Sequence, residues 1–185
     1  PQRRCLGTSN SLGAGCEGIP TPREQGQLRT ARIEMVNDRL GQLAGGAQHK
    51  ALEEQVRLFL KSPHLSLFNN GTIALMVAVQ SLRLQGEVIT TPFTFPATTH
   101  VLAWNNITPV FCDIHPETLT IDPERIESLI TNRTTGILGV HVYGMPCHVE
   151  RIQEIADRHG LRVIYDAAHA FGTEIGGRGI GTYGD

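Results

Sequence analysis

The sequence has no surplus of positive charge, no long apolar run and no paired cysteines. Lys and Arg number 16 against 18 Asp and Glu, a formal net charge of −2. That leaves no electrostatic footprint for a nucleic-acid partner. No apolar stretch approaches the ~20 residues that a membrane-spanning helix needs. The cysteines, Cys5, Cys16, Cys112 and Cys147, form no C-x-x-C pair and no zinc-like spacing with histidine. Cys112 lies in an apolar run and reads as a small buried hydrophobe. The first residues carry arginines but no apolar segment of the secretory kind. A reducing cytoplasm is the expected compartment. Residues 1–28 also lack any hydrophobic period. Gly, Pro, Ser, Thr and Arg dominate there, so this stretch is expected to be a disordered leader outside the domain that follows.

What is present belongs to an ordinary globular domain, 40% hydrophobic and 18% charged. From Ala31 the pattern is helical, with Ile33, Met35, Val36, Leu40 and Leu43. A second helix is predicted over residues 49–61, carrying Leu52, Val56, Phe59 and Leu60 on one side, and Ser62-Pro63 ends it. Then the rhythm changes. Strands are predicted at residues 65–68, 87–91, 109–114, 135–142 and 161–165. Helices are predicted at residues 72–84, 97–105, 123–131 and 149–159. The helix at 72–84 is apolar nearly all round, which predicts burial on several sides. Asp122-Pro123 opens the next helix with a cap followed by proline at the first turn. Strand and helix alternate about every 25 residues, the signature of βαβ crossovers and a mostly parallel sheet. The strands are continuous apolar runs, as when helices cover both faces. The glycine-rich tail, with Thr173-Glu174-Ile175-Gly176-Gly177-Arg178, reads as a hairpin or extended loop. The chain stops at Gly184-Asp185 with no closing element, so it is expected to be part of a longer protein.

Parallel strands place their C-terminal loops on one rim, where such sheets bind ligands. Asn69-Asn70-Gly71-Thr72 leads from a strand into a helix. Free amides and the helix dipole make that start an anion site, against the plainer reading of an Asn/Gly turn with a Thr cap. No Gly-Lys-Ser/Thr follows, so it is not a P-loop, and Gly-x-Gly-x-x-Gly is absent. Pro92-Phe93-Thr94-Phe95-Pro96 offers an aromatic face for a flat ring, or packing under a helix. His141-Val142-Tyr143-Gly144 offers two hydrogen-bonding groups, or a structural turn. Asp166 ends the strand Leu161-Arg162-Val163-Ile164-Tyr165 and precedes Ala167-Ala168-His169-Ala170. One carboxylate among small residues suits a flat cationic heterocycle, pyridoxal phosphate with a protonated ring nitrogen being the leading case. The alternative is a strand-end Asp capping the next turn. An anion cradle, an aromatic plate and a carboxylate on one rim match phosphate, ring and ring nitrogen.

The runs Leu67-Phe68-Asn69-Asn70-Gly71-Thr72-Ile73-Ala74-Leu75, Pro92-Phe93-Thr94-Phe95-Pro96-Ala97-Thr98, Pro109-Val110-Phe111-Cys112-Asp113-Ile114, His141-Val142-Tyr143-Gly144 and Asp166-Ala167-Ala168-His169-Ala170 resemble the DegT/StrS family. These are pyridoxal-phosphate-dependent sugar aminotransferases of fold type I, and the resemblance covers about residues 33–185. It implies that residues 29–185 are part of a pyridoxal 5'-phosphate-binding large domain, ending before a small C-terminal domain. It implies that Gly71 and Thr72 hold the cofactor phosphate and that Phe95 stacks on the ring. Asp166 would pair with the ring nitrogen. His169 stands where the family often has Gln, near the phenolic oxygen, and its charge would depend on pH.

In this family the lysine that forms the Schiff base follows the position of Gly184-Asp185, so the resemblance implies that it would lie beyond residue 185; Lys50 and Lys61, the chain's lysines, match nothing catalytic. The implied reaction moves an amino group, with glutamate as donor, to a keto group on a nucleotide-linked deoxysugar, and the implied assembly is a homodimer. Two alternatives stay open. One is a dehydratase of the same fold with His in place of that lysine, using the aminated cofactor. The other is a catalytically inactive fragment.

Overall fold

Four runs flanked by apolar residues form a parallel sheet: β1, Glu87–Thr90; β2, Thr108–Phe111; β3, Thr134–Val140; and β4, Arg162–Asp166. Their order is β2-β1-β3-β4, every neighbouring pair parallel. The computed structural model describes residues 46–185, of which Lys50–Asp185 form one compact unit. The expectations for residues 1–28 and for a helix near residues 31–43 lie outside the described residues.

The connections are helical, as parallel pairing requires. Helix α1 is Ala47–Phe59, α2 is Gly71–Ser81 and α3 is Pro96–Trp104. Helix α4 is the single turn Pro123–Ile126, extended by a 3-10 turn, Glu127–Leu129, and α5 is Val149–His159. A short antiparallel hairpin follows, β5 at Glu174–Ile175 and β6 at Arg178–Gly179. Asp122 caps α4, its Oδ1 accepting from the Glu124 amide at 3.1 Å, with Pro123 at the first turn as expected. No helix among the described residues is long and apolar enough to cross a membrane.

Successive strand residues point to opposite faces, and the core divides accordingly. Ile89, Ile137 and Val163 face α4 and α5, meeting Ile126, Ile152, Ile155 and Ala156. Val88, Leu138 and Ile164 face α2 and α3, meeting Leu75, Val79, Val101 and Leu102. Both faces are covered, which is why the strands carry no polar alternation. Cys112 is buried as expected.

Four expectations are corrected. Residues 65–68 form no strand; no ladder partner among the described residues reaches them, and extended backbone without a ladder is not a strand. Residues 112–114 leave the sheet after Phe111, and Ile114 instead makes an isolated antiparallel bridge with Ile121. Helix α4 ends five residues before the predicted Thr131, because the chain tightens into a 3-10 turn. Helix α2 is apolar all round yet buries only Leu75 and Val79, while Ile73 and Val77 stay exposed. One face meets the sheet and no element among the described residues covers the other.

Candidate functional site

Strand parity decides what each residue at the rim can reach. In β4, Ile164 faces α2 and α3, so Asp166, two residues on, faces the same side, and Val140 pairs with it from β3. Gly71, Thr72, Thr94, Phe95, Asp166 and His169 all line one cleft of about 230 Å³. Leu75, Ala97, Val140 and Ala168 supply its apolar wall. The five residues singled out from the sequence therefore meet.

At one end is the start of α2. Asn70 is its N-cap, its Oδ1 accepting from the Ile73 amide at 2.9 Å, while Ala74 donates to the Asn70 carbonyl at 3.2 Å. This leaves the amides of Gly71 and Thr72 with no protein partner among the described residues, at the positive end of the helix dipole. A Cβ built on Gly71 meets nothing within 4 Å. The glycine is thus not demanded by packing, and its missing side chain leaves open space beside the free amides.

At the other end, the carboxylate of Asp166 is held by protein donors. Oδ2 accepts from the Thr98 hydroxyl at 2.8 Å, and Oδ1 accepts from the Ala168 amide at 3.1 Å. Thr98 is fully buried, and its hydroxyl lies 2.8 Å from that of Thr94. The Asp166 main chain is fixed too, its carbonyl accepting from the His141 amide at 3.0 Å. Between the two ends, Phe95, the N-cap of α3, is 67% exposed, its ring available as one wall. His169 accepts at Nδ1 from the Tyr143 amide at 3.3 Å, and the two rings lie 3° from parallel. Tyr143 adopts a left-handed backbone, φ 54°, rare for an aromatic residue.

His141 is not at the cleft. It continues the parity of Ile137 and Gly139, so its ring lies on the α5 side and is fully buried. Its Nδ1 accepts from the Cys147 amide at 3.0 Å and its ring stacks on Tyr165, centroids 4.6 Å apart. Burial pushes the imidazole down to about 4, against the opposing pull of the Asp166 charge. Of the two readings open for that loop, His141 takes the structural one. Gly139 makes the stack possible: a Cβ there would come within 2.9 Å of the Tyr165 ring.

Thr94, which lines the cleft, and Thr98, which is buried behind it and bonds Asp166, are polar residues that the sequence alone did not single out. A signal existed for Thr98. It shares the i, i+3, i+4 spacing of Val101 and Leu102, both buried, so its hydroxyl sits on the inward face of α3.

The model of the DegT/DnrJ/EryC1/StrS aminotransferase family matches residues 26–185. A dTDP-4-amino-4,6-dideoxy-D-glucose transaminase of Escherichia coli is 56% identical over 132 residues, 71% of this chain and 36% of that protein. The crystal structure of DesI in the presence of its TDP-sugar product is 38% identical, with a TM-score of 0.73 over 84% of this chain and 41% of that one. NtdA from Bacillus subtilis, solved with bound cofactor PMP, is 31% identical, with a TM-score of 0.65 over 75% of this chain and 34% of that one. The chain thus spans little more than a third of the length of the curated relative. The shared parallel sheet and its flanking helices are the fold-type-I large-domain architecture that the sequence implied. With a match running through every cleft-lining segment, the chain belongs to the DegT/DnrJ/EryC1/StrS aminotransferase family.

Proposed function

We propose that the cleft binds pyridoxal 5'-phosphate and that the protein containing this chain transfers an amino group to the keto group of a nucleotide-linked deoxysugar. One observation carries the reading. Two amides without a protein partner among the described residues, and a fixed carboxylate across an apolar wall, line the same cleft. That donor set fits a flat ring with an anion at one end and a cationic nitrogen at the other.

When bound, pyridoxal phosphate supplies an electron-withdrawing ring that stabilises negative charge at a substrate carbon. The chain's own residues do the rest. Gly71 and Thr72 bind the phosphate through main-chain amides and the Thr72 hydroxyl, aided by the helix dipole. Phe95 covers one ring face. Asp166 holds the proton on the ring nitrogen. His169, with Nδ1 occupied by the Tyr143 amide, has Nε2 to donate to the phenolic oxygen. Lys50 lies on α1, Lys61 is paired with Glu174, and neither lines the cleft.

We place the amino donor as glutamate, the assembly as a homodimer and the compartment as the cytoplasm, where the free thiols of Cys112 and Cys147 stay reduced. The test is a titration of the full-length protein with pyridoxal phosphate, followed by fluorescence. Asp166→Asn should weaken binding by roughly ten- to hundredfold, the loss of a hydrogen bond to a charged group. Unchanged affinity would sink the reading. Finding His where the lysine is expected would turn the reaction into dehydration while leaving the cofactor site intact.

A further inference from the structure

We infer that Thr98 is a positioning residue for Asp166, the end of a hydroxyl relay from Thr94 that aims the carboxylate at the cofactor's ring nitrogen; this rests on the cofactor reading above.

The direction of the relay follows from the groups themselves. An ionised carboxylate only accepts. Thr98, 2.8 Å from Asp166 Oδ2, therefore spends its single proton there. Its oxygen is then free to accept, so the 2.8 Å contact with Thr94 runs from Thr94 to Thr98. Each bond polarises the next, because the Thr98 hydroxyl donates more strongly while accepting from Thr94. The ordering is a property of the charged state of Asp166. A protonated carboxyl would present a donor, and the relay would lose its sense.

Burial makes the arrangement stiff. Thr98 is fully buried on the inward face of α3, beside Val101 and Leu102. Its β-branched side chain has few rotamers to choose from. The other carboxylate oxygen meets a main-chain donor, Ala168, which is part of the turn that follows β4. Oδ1 is thus fixed from the strand's own end and Oδ2 from a different helix. Without Thr98 the carboxylate would keep a single local bond and turn about its side-chain axis. Thr94 lines the cleft as well as the relay. The relay thus begins at a residue that lines the cavity and ends on the carboxylate.

The experiment uses the full-length protein loaded with pyridoxal phosphate labelled with nitrogen-15 in the ring. Two quantities are read: the ring-nitrogen chemical shift across pH, and the cofactor dissociation constant. Thr98→Val, which keeps the shape and removes the hydroxyl, should move the ring-nitrogen titration to lower pH and weaken binding about tenfold, the worth of one hydrogen bond to a charged group. Thr98→Ser should restore both. A purely structural threonine would show neither the titration shift nor the rescue by serine. Unchanged titration in Thr98→Val, with Asp166→Asn still perturbing it, overturns the relay and leaves the cofactor site standing. A wild-type protein that binds no cofactor overturns both. Should Thr98→Val fail to fold, Thr94→Val carries the test from the cleft side. It should move the titration the same way by a smaller amount, and no movement overturns the relay.

Discussion

Burial holds the imidazole of His141 near 4, against an ordinary value of 6.5, and that gap has a sign. Above pH 6.5 the ring is neutral in folded and unfolded chains alike, and its contribution is fully present. As pH falls from 6.5 towards 4, the unfolded chain takes up a proton that the folded chain refuses. Stability therefore drops, by up to roughly 3 kcal/mol in all. Replacing His141 with Phe keeps the stack on Tyr165 and abolishes this slope. It also strands the Cys147 amide, which costs about 1–3 kcal/mol at every pH. Urea unfolding at pH 7 and pH 4.5 checks both: a flatter pH dependence and a lower plateau are expected, and an unchanged slope refutes the assignment. The sequence revealed that a His ends this strand, but not which face it takes. Both faces of β3 are apolar and covered, so no polar alternation distinguished the side of α5 from the side of the cleft. Asp166 was legible because a strand-end carboxylate among small residues is chemically distinctive wherever it points. Thr98 was not, because its importance lies in a bond to a residue distant in sequence.

At the scale of elements, two glycines look alike in sequence and differ in cause. Gly160 ends α5 in the left-handed region, φ 64°, and a Cβ there meets nothing. Only backbone conformation is at stake, so Gly160→Ala should cost about 1 kcal/mol. Gly179 in β6 has an ordinary φ, yet a Cβ would lie 2.0 Å from the Leu60 carbonyl oxygen. Backbone must move, so Gly179→Ala should cost roughly 2–4 kcal/mol and loosen the hairpin where Lys61 pairs with Glu174. Hydrogen exchange at the Ile180 amide, which donates to Thr173, reads that loosening locally. Equal effects of the two substitutions would contradict this account. Helix α5 was readable to the residue because its buried positions, Val149, Ile152, Ile155 and Ala156, keep one helical face and a glycine stops it. Residues 65–68 were misread for the opposite reason. Alternating apolar residues look like a strand whether or not a neighbour exists to pair with them, and pairing is a tertiary fact.

For the molecule as a whole, alternation of strand and helix was enough to announce a parallel sheet, since crossovers allow little else. The order β2-β1-β3-β4 was not readable, because it depends on which crossover packs on which face. That order matters to function. It brings β4 close enough to α3 for Thr98 to bond Asp166, and it sets both beside the start of α2. The polar groups of the cleft thus sit on or beside three elements, α2, α3 and β4, spread from Gly71 to His169, and a ligand touching all three ties together segments that must part when the domain unfolds. Anything that binds only the folded state stabilises it by mass action. Pyridoxal phosphate at about 100 times its dissociation constant should add roughly 2.7 kcal/mol to the full-length protein. In a protein of this family's size that raises the melting temperature by about 2–4 °C. Differential scanning calorimetry with increasing cofactor reads the shift. Asp166→Asn should lower the affinity and so shrink the shift at a fixed cofactor concentration, while Gly160→Ala, remote from the cleft, should lower the starting temperature and leave the increment intact. An increment that survives in Asp166→Asn at subsaturating cofactor would mean that binding occurs elsewhere. The three elements would then owe their proximity to packing alone.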